Sequence, residues 1–286
     1  MIIEISDGFN GYVDLVRAVL TYGETTSPRG IETREIEDAV VIVDNVYDTL
    51  PLKVGRGAVP GIGAVESCQL LSGVSTPDTV IAVGPQFKNY AEDNGIFHGA
   101  YGPRTAGQFD AVVEKLKNDR DTRQAVVTIW DPQYDNQPSK RDYPCTVLHQ
   151  FRVRNDRLNM SVYMRSNDVW LGAAYDFFQF TRVQLALAWV LGVAPGRYAH
   201  HVGSLHIYKH HYDSAENLTK TSERPEQIPY FTGNTWDEVK ESALRALDAV
   251  NDKSMLVDLS PSELWYADAM ITAVDRNRAK ETDNVR

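Results

Sequence analysis

The chain of 286 residues is 43% hydrophobic and 24% charged, the composition of an ordinary globular protein long enough to bury a sizeable core. Its formal net charge of -10 excludes general nucleic-acid binding, which draws affinity from neutralised phosphates, but a few local arginines can still hold one small phosphorylated ligand. Two distant cysteines, Cys68 and Cys145, no apolar run of membrane-spanning length and no basic-then-apolar leader point to a cytoplasmic chain with neither a disulfide framework nor a membrane partner.

Residues 9–22 carry Val13, Leu15, Val16, Val19 and Leu20 on one broad face and are expected to form an amphipathic helix. Thr25 to Gly30 has the composition of a loop, and Ala39 to Val43 that of a short β-branched strand. An apolar helix carrying one acid, Glu66, is expected over 61–71. Another covers 109–116, followed by a loop at 119–122 and a strand over 125–130. Next comes a hairpin. One strand opens at Cys145 and ends near Arg154, Asn155-Asp156 turns, and 157–165 returns with Leu158, Met160, Val162 and Met164 alternating. Residues 175–191 read as a buried apolar helix, 198–208 as a strand, 211–218 as a helix and 236–250 as an amphipathic surface helix. The polar stretch from Asp275 is expected to fray. With no repeat and no linker, one α+β domain over 1–286 is the simplest organisation.

Several residues have a plain structural reading beside a chemical one. Cys145 alone reads as a small buried apolar residue. Arg165 on the returning strand changes that, because a nearby cation favours the thiolate. Glu66 in an apolar helix is an acid whose burial is costly unless it has a task. Five of the seven histidines, His200, His201, His206, His210 and His211, fall in one stretch, but without a helical HExxH pattern or a cysteine among them no metal site is expected. Gly61-Ile62-Gly63 lacks a third glycine and a preceding strand, so it is rejected as a dinucleotide loop.

Four motifs occur in order: Pro144-Cys145, Gln150-Phe151, Arg165-Ser166-x-Asp168-Val169-x-Leu171-Gly172, and Gly203-x-x-His206-x-Tyr208. Together they resemble the thymidylate synthase and deoxycytidylate hydroxymethylase family, densely from about Leu116 to His211 and more sparsely upstream at Arg29, Glu66, Asn94-Gly95 and Tyr101-Gly102. The resemblance implies a large mixed β-sheet flanked by helices, a pyrimidine nucleoside monophosphate as substrate, and 5,10-methylenetetrahydrofolate as co-substrate with no metal. It implies that Cys145 adds to C6 of the pyrimidine, that Glu66 organises water and relays protons, and that Tyr101 assists proton removal at C5. Arg29, Arg165 and Ser166 resemble phosphate ligands. Arg123 resembles the arginine that reaches the neighbouring subunit's phosphate, which implies a homodimer, although Gln124 stands where a second arginine is usual. His206 and Tyr208 resemble the residues holding the sugar hydroxyl. Asp168 resembles a residue of both the substrate and the folate sites, and Leu171 and Gly172 resemble folate-site residues, with Phe87 and Tyr90 where synthases often have tryptophan.

Asp176 departs from the synthases, which have an asparagine there to read uracil. An amide can donate to O4 and accept from N3–H, whereas an ionised carboxylate only accepts. Cytosine offers an exocyclic amino donor and an N3 that gains a proton on attack at C6. Thr146, in place of the usual histidine, and the polar end Asn284-Val285-Arg286, in place of a short apolar one, weaken the case for hydride transfer. The expected activity is hydroxymethyl transfer to C5 of dCMP. CMP as substrate, a synthase-like methyl transfer, and a catalytically idle nucleotide-binding protein are the alternatives.

Overall fold

The computed structural model describes residues 1–284 except Lys53, Ser139 and 224–226. Its centre is a mixed sheet of β1 (Ile2–Asp7), β2 (Glu24–Thr26), β3 (Thr33–Asn45), β4 (Ala125–Thr128), β5 (Thr146–Arg154), β6 (Arg157–Met164), β7 (Asn167–Asp168) and β8 (Ala194–Tyr208). The strand order is β1-β3-β8-β6-β5-β4, with β2 pairing β3 and β7 pairing β8. β8 runs antiparallel to β3 but parallel to β6 and β7, so the sheet is mixed at its middle. Its alternation is strict at the hairpin: Phe151, Val153, Leu158 and Met160 enter the core, while Arg152, Arg154, Arg157 and Asn159 face outward. Asn155 and Asp156 take φ of 51° and 53°, the paired left-handed geometry of a tight hairpin turn.

The helices are α1 (Asn10–Tyr22), α2 (Pro60–Ser72), α3 (Pro77–Val83), α4 (Tyr101–Thr105), α5 (Gln108–Asn118), α6 (Pro132–Asp135), α7 (Ala173–Val190), α8 (Tyr212–Glu216), α9 (Trp236–Asn251) and α10 (Pro261–Asn284). Every residue of α7 except Trp189 is buried, so this helix is the spine of the core. α2 packs beside it. A side chain at Gly61 would strike Ala269 and Ala273, and one at Gly63 would strike the Phe178 ring, so the two glycines admit close helix packing and bind no dinucleotide.

Three local expectations need correction. The stretch 25–30 is not all loop: Thr25 and Thr26 belong to β2 and Pro28–Gly30 form a 3-10 turn. The strand expected over 39–43 runs from Thr33 to Asn45, and Asp38, with φ 49°, interrupts its alternation and hides the polar half. The segment from Asp275 does not fray but continues α10 to Asn284. Asn277 donates to the carbonyls of Ala82 and Val83 at 3.0 and 2.9 Å and ties that helix to α3. Residues 285–286, part of the polar end weighed above, lie outside the described residues.

α7 also carries a fully buried cation. Arg182 donates to the carbonyls of Ile228, Val46 and Tyr47 at 3.0, 3.1 and 2.8 Å and lies over the Phe178 ring. Arg182→Met is expected to lower stability by about 3 kcal/mol or more, because three buried carbonyls lose their donors. Equilibrium denaturation checks it, and an unchanged midpoint would show that those bonds contribute nothing net.

Candidate active site

Cys145 sits half-buried at the mouth of β5, where its carbonyl accepts from the Arg165 amide at 2.9 Å. Arg165 turns back over it. Its Nε donates to Pro144 O at 3.0 Å, its Nη2 to Tyr143 O at 3.3 Å, and the same Nη2 stands 3.8 Å from Sγ. The expected cation is therefore in place, but it does not prevail. Burial pushes the thiol up to about 11, Arg165 pulls it down, and Asp176, Asp142 and Asp168 push it up again. At neutral pH the resting group is a thiol, which corrects the inference that the arginine by itself makes a thiolate.

Tyr101, on α4, stacks against Phe180 of α7 with ring centroids 6.1 Å apart. Its hydroxyl oxygen accepts from Thr146 N at 3.3 Å and from Thr146 Oγ1 at 3.0 Å. With the acceptor side filled, its own hydrogen is free to donate. Burial first, then Asp176 and Cys145, hold this phenol well above the usual range.

Asp176 lies in the first turn of α7, 7% exposed. Asn167 Nδ2 donates to its Oδ2 at 2.7 Å and Gln179 Nε2 to its Oδ1 at 3.1 Å. Burial raises this carboxyl to about 7, against the lowering effect of those two bonds. Gln179 Nε2 also reaches Glu66 Oε2 at 3.4 Å. Burial, then the charge of Asp176, raises Glu66 to about 8. Two linked carboxyls are thus raised to neutrality and just above it, and between about 7 and 8 Asp176 is the more ionised of the two while Glu66 largely keeps its proton.

The rim is built from β7, β8 and the turn after β2. Asp168 Oδ1 accepts from the amides of Trp170 and Leu171 at 2.8 and 3.2 Å, while its buried Oδ2 has no partner among the described residues. His206 pairs with Asp168 in the β7–β8 register. Tyr208 follows on the same strand and accepts from Arg29 Nη2 at 3.3 Å. Arg29 takes φ 55°, which turns it toward β8. Ser166 is half-buried between Arg165 and Asn167. Leu171 is 47% exposed. Gly172 has a steric duty: a Cβ there would lie 3.0 Å from Asn167 Nδ2 and 3.1 Å from Asp176 Oδ2. Phe87 and Tyr90 lie on the 3-10 turn Pro85–Tyr90, the first half-buried and the second exposed. Arg123 is not part of this cluster. It opens into a cavity of about 400 Å³ on the outward face of the sheet, with Arg152, Arg154 and Arg197.

A family model described as thymidylate synthase matches residues 10–251 of this chain. The chain belongs to the thymidylate synthase family. A deoxyuridylate hydroxymethyltransferase of Bacillus phage SP01 is 32% identical over 218 residues, covering 70% of this chain and 57% of the relative. The chain thus spans little more than half the length of that protein. Among solved structures, thermostable thymidylate synthase A from Bacillus subtilis superposes with a TM-score of 0.63 at 21% identity, over 75% of this chain and 85% of that one, a likeness of fold.

For this thymidylate synthase family member, the α+β fold with its flanked mixed sheet is as the motifs imply. Among the described residues, no three potential metal ligands converge, and no helix is long and apolar enough to cross a membrane. The histidines pack on aromatic rings: His201 stacks on Tyr163, His210 on Tyr208 and His211 on Trp170, with the His210 and His211 rings 4.1 Å apart. His200 is buried and hydrogen-bonded at both nitrogens, to Tyr198 and Asn167. Asn167 and Gln179 escaped the sequence reading. The available signal was a polar pair, Asp176 and Gln179, spaced by three in the first half of a largely apolar helix.

Proposed function

We propose that this protein transfers a one-carbon unit from 5,10-methylenetetrahydrofolate to C5 of dCMP and that water completes the product, giving 5-hydroxymethyl-dCMP and tetrahydrofolate. The observation that carries the reading is Asp176: a buried carboxylate, held by donors on both oxygens, facing the same space as Cys145, Tyr101 and Glu66. As an acceptor it suits the amino group of cytosine and repels O4 of uracil.

The unpartnered Oδ2 of Asp168 beside exposed Leu171 fits the donor edge and apolar ring of a folate. When bound, that co-substrate supplies the methylene carbon. The chain's own residues do the rest. Arg29, Arg165 and Ser166 hold the phosphate, and His206 and Tyr208 the sugar. Cys145 Sγ bonds to C6 as its proton passes to N3, where the Asp176 carboxylate balances the charge, and the C6–S bond breaks again, with N3 returning its proton, when the product is released. Tyr101 assists removal of the C5 hydrogen, and Glu66 positions the water that adds to the exocyclic methylene. Thr146 occupies the acceptor side of Tyr101 where synthases carry a histidine. Arg123 lies on the open sheet face, which suits a homodimer in which it serves the neighbour's phosphate. The net charge of -10 and the two lone cysteines suit a cytoplasmic enzyme without a nucleic-acid partner.

The name of the phage relative favours a second reading, the same transfer to a uracil nucleotide. Incubation with methylenetetrahydrofolate and each of dCMP, CMP and dUMP decides between them. A hydroxymethyl product from dCMP, with no rise in dihydrofolate absorbance, is expected. A methylated base with stoichiometric dihydrofolate would return the chain to the synthases, and product from dUMP alone would overturn the base assignment.

A further inference from the structure

Behind Asp176 stands a chain of polar side chains that the proposed reaction does not touch. Tyr198 OH lies 2.8 Å from His200 Nδ1, His200 Nε2 lies 3.0 Å from Asn167 Oδ1, and Asn167 Nδ2 lies 2.7 Å from Asp176 Oδ2. Tyr198 and His200 are wholly buried and Asn167 is 3% exposed. From this geometry we infer that Tyr198, His200 and Asn167 form a one-way lock, positioning residues that hold Asp176 as a two-acceptor carboxylate and so set the site to read an amino group instead of a carbonyl oxygen. The inference rests on the reading of Asp176 as the base-recognising group.

The direction of each bond follows from what each atom can do. An amide nitrogen only donates and an amide oxygen only accepts. With Nδ2 of Asn167 on the carboxylate, its Oδ1 must receive the Nε2 hydrogen of His200, which leaves Nδ1 bare to receive the hydroxyl of Tyr198. All three donors point toward Asp176, and each bond polarises the next. Turning the Asn167 amide would reverse every step. Asp176 would then need a proton to donate to Asn167, His200 would carry its hydrogen on Nδ1, and the Tyr198 hydroxyl would lose its acceptor.

That last consequence selects the direction. Among the described residues the Tyr198 hydroxyl has no hydrogen-bond partner other than His200. A buried donor left without an acceptor is costly, whereas a spare lone pair on its oxygen is tolerated. In the reversed setting Asp176 would be a neutral acid whose single proton is held by Asn167, so its negative charge would no longer repel uracil O4. The groups facing Asp176 from the neighbouring elements are Glu66 on α2, Tyr101 on α4, Cys145 before β5 and Tyr198 on β8, none of them a cation. His149 faces His200 and is neutral, lowered by burial to about 3. The lock is thus the main counterweight to the burial of the carboxylate, together with Gln179.

The test uses full-length wild type, Tyr198→Phe, His200→Phe and His200→Gln, with kcat/KM measured for dCMP and dUMP across pH. Tyr198→Phe keeps the ring and removes the selecting hydroxyl. It is expected to move the acid limb of the profile up by about one unit and to lower the cytosine-to-uracil ratio about tenfold. His200→Phe shifts both further, and His200→Gln, which can still donate to Asn167, restores them toward wild type. Nitrogen NMR of wild-type histidines should show His200 neutral with its hydrogen on Nε2, and a mixture of tautomers in Tyr198→Phe. A wild-type hydrogen on Nδ1, or an unmoved limb and ratio in Tyr198→Phe, overturns the lock even if His200→Phe does not fold. Wild type acting only on uracil nucleotides would defeat the proposed substrate, while the tautomer and the acid limb would still judge the lock.

Discussion

Cys145→Ser is expected to abolish turnover, lowering kcat by about 10⁴-fold or more while the dissociation constant for the nucleotide changes little. The separation of the two effects follows from the layout. The phosphate and sugar contacts proposed here come from Arg29, Arg165, Ser166, His206 and Tyr208, and the base contact from Asp176. None of them needs the sulfur. A serine hydroxyl in the same place meets the same burial and the same three carboxylates that push the thiol up to about 11, and it starts as a far weaker acid. Arg165 Nη2 at 3.8 Å cannot make up that difference. Single-turnover product formation and equilibrium nucleotide binding, measured on the same preparation, check both halves. Substantial product from the serine variant would remove Cys145 from the chemistry, and a large loss of binding would mean that the sulfur supports the pocket itself.

Asp176→Asn is expected to lower kcat/KM for the cytosine nucleotide by about 10³-fold and to admit the uracil nucleotide. The amide keeps an oxygen for Asn167 and offers a hydrogen to O4, and Gln179 can turn its own amide to match. The pH profile should change with it. In wild type the ionised fraction of Asp176 grows as pH rises through about 7, so activity on cytosine climbs there, and it falls again as Glu66 loses its proton above about 8. The asparagine variant has no carboxyl at 176, so the rise through 7 should vanish, while the fall persists but moves to lower pH because the charge of Asp176 no longer raises Glu66. If the variant keeps both its preference for dCMP and its acid limb, base reading lies elsewhere in the pocket.

Much of this was legible in the sequence because the strongest signals are local. The hairpin announces itself through alternation and Asn155-Asp156, and α7 through seventeen near-continuous buried positions. Cys145, Arg165, Asp168 and Asp176 stand in motifs whose spacing carries over directly. What the sequence concealed depends on pairing across the sheet. Nothing in one dimension says that Asn167 meets His200, thirty-three positions away, since that contact exists only because β7 lies beside β8. The balance at Cys145 is hidden for the same reason: burial, with three carboxylates from three segments adding to it, outweighs the one arginine that the hairpin makes obvious. The C-terminal helix was missed because its second half is polar and finds its anchor, through Asn277, on α3.

The mounting of Asp176 on α7 has a consequence of its own. A helix enclosed along nearly its whole length opens only when the entire molecule does, so its amides should exchange with solvent at the slowest class of rates in the protein. The group proposed to tell one pyrimidine from another is therefore among the last parts to loosen. The exposed rim, with Arg29 on a short turn and Leu171 turned outward, belongs to the opposite end of that range. Warming the protein should first weaken the hold on the nucleotide and speed its release, and base discrimination should persist until global unfolding removes it.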